Sequence, residues 1–253
     1  MAANTNPMTY NGYVAQIATL AVVVLDTSGP VYVGVDDGFN TLIPQMLNYA
    51  ELRIQRDLDL LPSLTSGAYT LAAGKNLVSV PIDDFVTLQT ISVQGAAPLL
   101  PVSKEFLQNM FSDPTFTGTP LYFAMIGGDQ ATAGTTSNNV LFGPYADVDY
   151  PLSVAGTVRL PSLYLYANAS QAGSVLTFIS TYLPDLLIQA SMIYISQFQR
   201  NFGPASNDPQ MGPTYEAQYQ TLLKNAITEE ARKKFNASAW TAMSQPVVAT
   251  PTR

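Results

Sequence analysis

Between Arg159 and Arg200 the only charged side chain is Asp185, and the stretch 183-LPDLLIQASMIYISQF-198 inside that span is dominated by apolar residues. Such a segment has three possible homes: a bilayer, the centre of a helical core, or a surface covered by another subunit. Gln189, Ser191, Ser196 and Gln197 interrupt a run already shorter than the ~20 apolar residues that span hydrocarbon, which excludes the first. With Pro184 in its first turn the stretch reads as a helix to about Phe202. Leu186, Leu187, Ile188, Met192, Ile193, Tyr194 and Ile195 cannot all face one side of it. One side is expected to pack on the chain's own helices and another to meet a neighbouring subunit, with Leu187, Ile188, Met192, Tyr194 and Ile195 as the inter-subunit residues.

Other helices flank it. Apolar spacing predicts a helix over Tyr13–Leu25, although its final Val-Val-Val favours strand. The loop 26–38 carries a Gly-Pro break with room for a short strand or small hairpin. A longer helix is expected over 39–62, with Leu47, Ala50, Ile54 and Leu58 as its stripe, Pro44 in its first turn and Pro62 at its end. A short helix is expected over Ser174–Ser180. The last helix should reach about Phe235 on a stripe of Tyr215, Tyr219, Leu222, Leu223, Ala226 and Ile227, with i,i+4 pairs Glu229–Lys233 and Glu230–Lys234.

From Ser66 to Tyr166 the pattern changes to short β-like runs at 68–71, 77–80, 85–95 and 98–102, which suggest a small meander. A short helix at 103–111 capped by Ser103 follows, and then three further strands at 120–128, 139–144 and 149–164. The polar segment 127–139 reads as a hairpin tip. The expected fold class is α+β: a helical bundle formed by N- and C-terminal helices with a β-rich insertion in the middle. The divisions are 1–65 and 167–235 for the bundle, 66–166 for the insertion and 236–253 for an extended tail.

Composition narrows the chemistry. The chain has no cysteine and no histidine, so thiolate sites, His-ligated zinc and histidine-based triads are unavailable to it. Only 11% of residues are charged, against the usual quarter or so, and 18 acidic residues outnumber 11 basic ones for a net charge of −7. That balance disfavours nucleic-acid affinity, which needs clustered cations. Asp36-Asp37, Asp83-Asp84 and the Asp147/Asp149 pair could in principle serve glycoside hydrolysis or a hard cation. Each sits in a predicted turn, where Asp bonds its own backbone, and none has calcium-loop spacing. Gly127-Gly128 and Gly134 lack a Walker lysine. Tyr and Phe recurring along 111–126 and 142–166 read as core or inter-subunit packing before they read as stacking platforms. No catalytic residue, cofactor or metal is expected. Met1–Asn11 holds no Lys or Arg, so no secretory leader is expected, and the sequons at Asn168 and Asn236 carry no weight.

The order of motifs resembles the head-to-tail adaptor (connector) family of tailed bacteriophages. The resemblance rests on 49-YAELRIQRDLDLLP-62, then 77-LVSVPIDDFVTLQTISVQGAAPLLPVSKEFLQNMF-111. It continues through 120-PLYFAMIGG-128 with 140-VLFGPYADVDYPLSVAGTVRLPSL-163, then 182-YLPDLLIQASMIYISQF-198 and 215-YEAQYQTLLKNAI-227. It spans roughly 45–230, and the first 44 residues fall outside it. It implies a non-enzymatic virion protein at the head–tail junction, assembled in the host cytoplasm. The implied assembly is a homo-oligomeric ring, twelve-fold, beneath the portal protein and above tail or closure proteins. Double-stranded DNA would pass through the lumen without specific binding, and no membrane would be involved. The low charge and many aromatics suit a chain flanked by neighbours. The resemblance further implies a portal-docking tail, with Phe235, Trp240, Met243 and Val247 as its apolar residues. A tail-facing loop would contain Gly128, Asp129, Thr132 and Asn138. The alternative readings are another ring-forming head-closure or tail-completion protein and, with less support, a carbohydrate-binding or hydrolytic module on the β-rich middle.

Overall fold

In a computed structural model of the chain, the structure describes residues 8–34, 37–81, 85–95, 97–127, 137–167, 171–199 and 211–237. The fold is α+β. The chain divides into two compact units, a helical one made of Met1–Leu61 with Leu160–Arg253 and a β-rich one made of Pro62–Arg159.

In the helical unit α1 (Tyr10–Ala21) starts at Thr9, whose hydroxyl accepts the Gly12 N–H at 3.2 Å. It ends earlier than its apolar spacing suggests. Val22 turns into the left-handed region at φ 56°, and the valine run continues as extended chain, following β-branched preference. Leu25–Asp26 (β1) then pairs antiparallel with Val33–Gly34 (β2), which is the small hairpin the Gly-Pro loop allowed. Asn11 secures this loop from below: its amide donates to the Pro30 carbonyl at 2.9 Å and accepts the Tyr32 N–H at 3.0 Å.

Helix α2 (Asp37–Asp57) begins two residues before Phe39, so Pro44 lies inside it rather than in its first turn. It also stops short of Pro62, which belongs to a separate 3-10 turn, Leu61–Ser63. Leu47, Ala50 and Ile54 of its expected stripe are buried, and Leu58, one residue past the helix end, is buried with them. The helix expected at 174–180 forms instead as α4 (Phe178–Tyr182), because Thr177 and Ser180 make a reciprocal capping box there. Helices α5 (Pro184–Gln199) and α6 (Met211–Ala237) complete the unit. On α6 Tyr219, Leu223 and Ala226 are buried, whereas Ile227, placed on the stripe by spacing, is 48% exposed.

The low-charge stretch is α5, and α1, α2, α4 and α6 all pack on it. Leu187, Ile188, Met192 and Ile195 are each no more than 4% exposed, and Tyr194 meets the Tyr49 ring at 5.9 Å. This corrects the expected neighbour-facing side for those four residues. The apolar circumference is that of a central helix surrounded by its own chain, so these side chains are already covered without a second subunit.

The β unit is not built as a local meander. Leu64–Leu71 (β3), Leu77–Pro81 (β4), Thr87–Val93 (β5) and Leu100–Pro101 (β6) do not pair in sequence order. With α3 (Lys104–Met110), Thr117–Gly118 (β7), Tyr122–Ile126 (β8), Ser137–Gly143 (β9), Tyr145–Ala146 (β10) and Tyr150–Thr157 (β11), they form sheets ordered β3-β11-β5 and β4-β9-β8-β6, with a small β7–β10 pair. The physical reason lies at the 72–76 turn. Its backbone is bonded to the later chain, Gly74 N–H to Ala146 O and Ala146 N–H to Lys75 O, and Asp149 accepts the Ala73 N–H. The turn is thus a corner between sheets rather than a hairpin. Both sheets supply the core: Leu71, Ile91, Leu152 and Val154 from one, and Val78, Val80, Phe123, Val140 and Phe142 from the other. On the other face of the four-stranded sheet, α3, capped by Ser103 as expected, closes a smaller core of Leu107, Ala124 and Leu141.

The register of β11 against β5 shifts between Ala155 and Gly156. A Cβ on Gly156 would lie 2.0 Å from the Thr87 carbonyl oxygen, a backbone atom that cannot yield as a flexible side chain does. Gly156→Ala should therefore destabilise the protein by roughly 1–3 kcal/mol in urea denaturation. Gly127→Ala, where no atom of the described residues lies within 4 Å of the added Cβ, should leave the midpoint nearly unchanged.

Candidate interaction surfaces

The carboxylates were the residues from which chemistry could have been built. Asp147 accepts the Tyr150 hydroxyl at 2.6 Å and the Val148 N–H at 3.1 Å, and Asp149 is committed to Ala73, so both serve turns as expected. Asp36, Asp83 and Asp84 lie outside the described residues, and Asp37 opens α2. Among the described residues no group of three or more Asp or Glu is gathered so as to hold a metal ion. No helix among them is long and apolar enough to cross a membrane.

Two carboxylates that sequence spacing did not mark as buried hold backbone. Glu51, 1% exposed, accepts the Leu163 N–H at 2.9 Å and the Ser162 hydroxyl. Glu230, 4% exposed, accepts the Leu61 N–H at 3.0 Å. These positions are where the chain leaves the helical unit and where it returns. Gln55 adds a bond to the Leu160 carbonyl at 3.3 Å, and Lys234 pairs with Asp59. The expected Glu229–Lys233 pair forms at 2.7 Å. Glu230–Lys234 does not, because Glu230 turns inward to Leu61 and Lys233, and Lys234 takes Asp59 instead. Arg53 reaches α6 as well, bonding Glu216 at 2.6 Å and lying 4.4 Å from the centre of the Tyr219 ring, while Tyr219 donates to Asp57 at 2.7 Å.

With no such metal grouping among the described residues and the described turn aspartates Asp147 and Asp149 committed to local bonds, the candidate site is sought on the surface. In the β unit, Phe106 meets Tyr122 at 5.8 Å, Tyr122 meets Phe111 at 6.1 Å, and Phe111 meets Phe116 at 5.7 Å. Leu100, the strand partner of Tyr122, is exposed with Phe106, Met110 and Phe116, so this row is an open aromatic and aliphatic face. Of the aromatics noted along 111–126 and 142–166, Phe123 and Phe142 are core and Tyr164 is exposed. In the helical unit a second apolar feature projects at the end of α1: Val22 is 90% exposed, Val24 73% and Leu20 44%. A third is a groove of about 460 Å³ between α5 and α6, lined by Gln189, Thr214, Ala217, Gln218, Thr221 and Leu222. Sequence reasoning read the aromatics of 111–126 as core or inter-subunit packing without separating the two, and it missed the other two features as surfaces. The valine run was the available signal for the second, and it was read only as a preference for strand.

The other candidate residues fall as follows. Phe235 lies in the last turn of α6, and Trp240, Met243 and Val247 lie outside the described residues. Gly128, Asp129 and Thr132 also lie outside them. They belong to the connection between β8 and β9, which pair antiparallel as a hairpin. Asn138 is in β9 and donates its amide to the Phe85 carbonyl at 3.1 Å.

Glu51→Ala strands the buried Leu163 N–H and should cost roughly 1–3 kcal/mol in equilibrium unfolding. Burial pushes the Glu51 carboxyl above the ordinary glutamate range, against the lowering effect of the bonds from Ser162 and Leu163. The folded protein therefore holds this proton more tightly than the unfolded chain. The associated stability should be fully present below the ordinary glutamate range and be lost as pH rises through the raised native value. That part of the pH slope should vanish in Glu51→Ala, as read from denaturation midpoints across pH.

Comparison with known proteins supplies the context for these surfaces. No match to the chain is found among curated proteins. A family model described as SU10 adaptor protein matches residues 8–247. That match takes in both segments of the helical unit and the whole β unit between them, and on it the chain belongs to the SU10 adaptor protein family, a family of phage head-to-tail adaptors.

Proposed function

We propose that the chain assembles into a homo-oligomeric ring, twelve-fold, at the head–tail junction of the virion. The ring docks beneath the portal and presents a platform to tail or closure proteins. The observation that carries this reading is the family match over residues 8–247. The work of such a protein is attachment rather than catalysis, and its interfaces are its functional sites. The net charge of −7 supports a lumen through which DNA slides without adhering, since carboxylates repel phosphate.

The open aromatic row around Phe106, Phe111 and Phe116 and the apolar tip of α1 are the kind of surface an assembled protein covers. The residues after Ala237, with Trp240, Met243 and Val247, are proposed as the portal-docking tail, with Phe235 at its root. The connection between β8 and β9, with Gly128, Asp129 and Thr132, is proposed to face the tail side.

A symmetric reconstruction of particles carrying the protein should show a ring between the portal and the first tail component, with a lumen poor in Lys and Arg. A lumen lined by Lys and Arg would overturn the DNA-sliding element, and neighbours other than the portal would identify a closure or tail-completion ring instead. Because α6 runs to Ala237, truncation after that residue keeps the helix intact. The truncated protein should melt like the full chain yet lose most of its retention on portal-bearing heads in a co-sedimentation assay.

A further inference from the structure

Two of the apolar features lie on the helical unit. The knob is the end of α1 and the chain after it: Leu20, Val22 and Val24 point outward, while Val23 and Leu25 pack on the unit's core. Val22 is a β-branched residue held in the left-handed region at φ 56°, a conformation that costs free energy and in which a glycine would be at ease. The left-handed turn is the C-cap of α1, with the Val22 N–H bonded to the Ala18 carbonyl, but capping alone favours glycine there and does not call for a 90% exposed valine. The hole is the groove between α5 and α6. Its lining carries no charged side chain, and the Oε1 of Gln189 on its wall is buried without a hydrogen-bond partner, so it can accept a donor from an occupant.

The electrostatics choose the occupant. A chain of net charge −7 repels its own copies, so two copies can approach closely only through faces free of carboxylates or with opposite charges matched at the edge. Both features meet that condition. No Asp, Glu, Lys or Arg occurs from Met1 to Leu25, which leaves the knob neutral. The first charge after it is Asp26, whose two local bonds, from the Ser28 N–H and hydroxyl, both fall on Oδ1. On α6 the next charge along the groove stripe is Lys224, three residues beyond Thr221, exposed and without an ion pair among the described residues.

Building on the ring reading above, we propose that the Leu20–Val24 knob of one copy inserts into the α5–α6 groove of the next, with Asp26 meeting Lys224 at the edge and Gln189 accepting a donor from the inserted chain. Knob and hole are different patches of one unit, so the contact is head-to-tail. Such contacts repeat from copy to copy and close into a ring when the rotation permits.

The absence of cysteine makes the test direct. The double variant Val24→Cys with Ala217→Cys, mildly oxidised after assembly, should give a ladder of covalent multimers, whereas a mixture of the two single variants should stop at dimers. Val22→Gly should melt at or above the parent temperature, because it relieves the left-handed strain, and yet weaken assembly at least tenfold by sedimentation. Lys224→Glu and Asp26→Lys should each weaken assembly, and the two together should restore it. Rings that form normally in Val22→Gly, with no cross-linked ladder in the double variant, would overturn the knob-and-groove contact and leave the ring standing. A parent chain that stays monomeric both alone and on portal-bearing heads would overturn both.

Discussion

The helical unit is made of two pieces of chain separated by the whole β unit, and everything else in it depends on closing that gap. The closure is first of all α5, whose apolar circumference is shared among α1, α2, α4 and α6. Packing of this kind is strong but non-directional. Direction comes from polar bonds at the two chain crossings: Glu230 holds the Leu61 N–H on the way out, and Glu51 holds Ser162 and Leu163 on the way back. A buried carboxylate is expensive unless its lone pairs are used, so each crossing is held where its backbone N–H meets the carboxylate.

Much of this organisation was legible in the sequence. The stripe of α2, the cap at Ser103, the helical ends around a β-rich middle and the small hairpin in the Gly-Pro loop all follow from local periodicity and turn chemistry. What was not legible depends on partners far away in the chain. The 72–76 turn has hairpin composition and becomes a corner because Ala146 and Asp149 claim its backbone. The circumference of α5 suggested a neighbouring subunit, since the sequence does not say how many helices of the same chain surround it. Glu51 and Glu230 look like ordinary surface acids until Leu163 and Leu61 arrive beside them.

The surfaces were hardest to foresee, for a related reason. Apolar content predicts that something will be covered and is silent about which side chains remain after the core has taken its share. Phe123 of β8 and Phe142 of β9 go to the core, while Phe106 on α3 and Phe116 just before β7 stay open. For an adaptor protein that remainder is where function is to be sought, because attachment uses what folding leaves over.

The pairing order in the β unit bears on how the protein is made. Strand β3 finds its partner only in β11, and α2 finds α5 only after the entire β unit has been synthesised. At translation rates of roughly 5–20 residues per second, the stripe of Leu47, Ile54 and Leu58 waits many seconds for its cover. The early chain therefore emerges from the ribosome with an open apolar face, a nascent state in which premature association competes with its own fold.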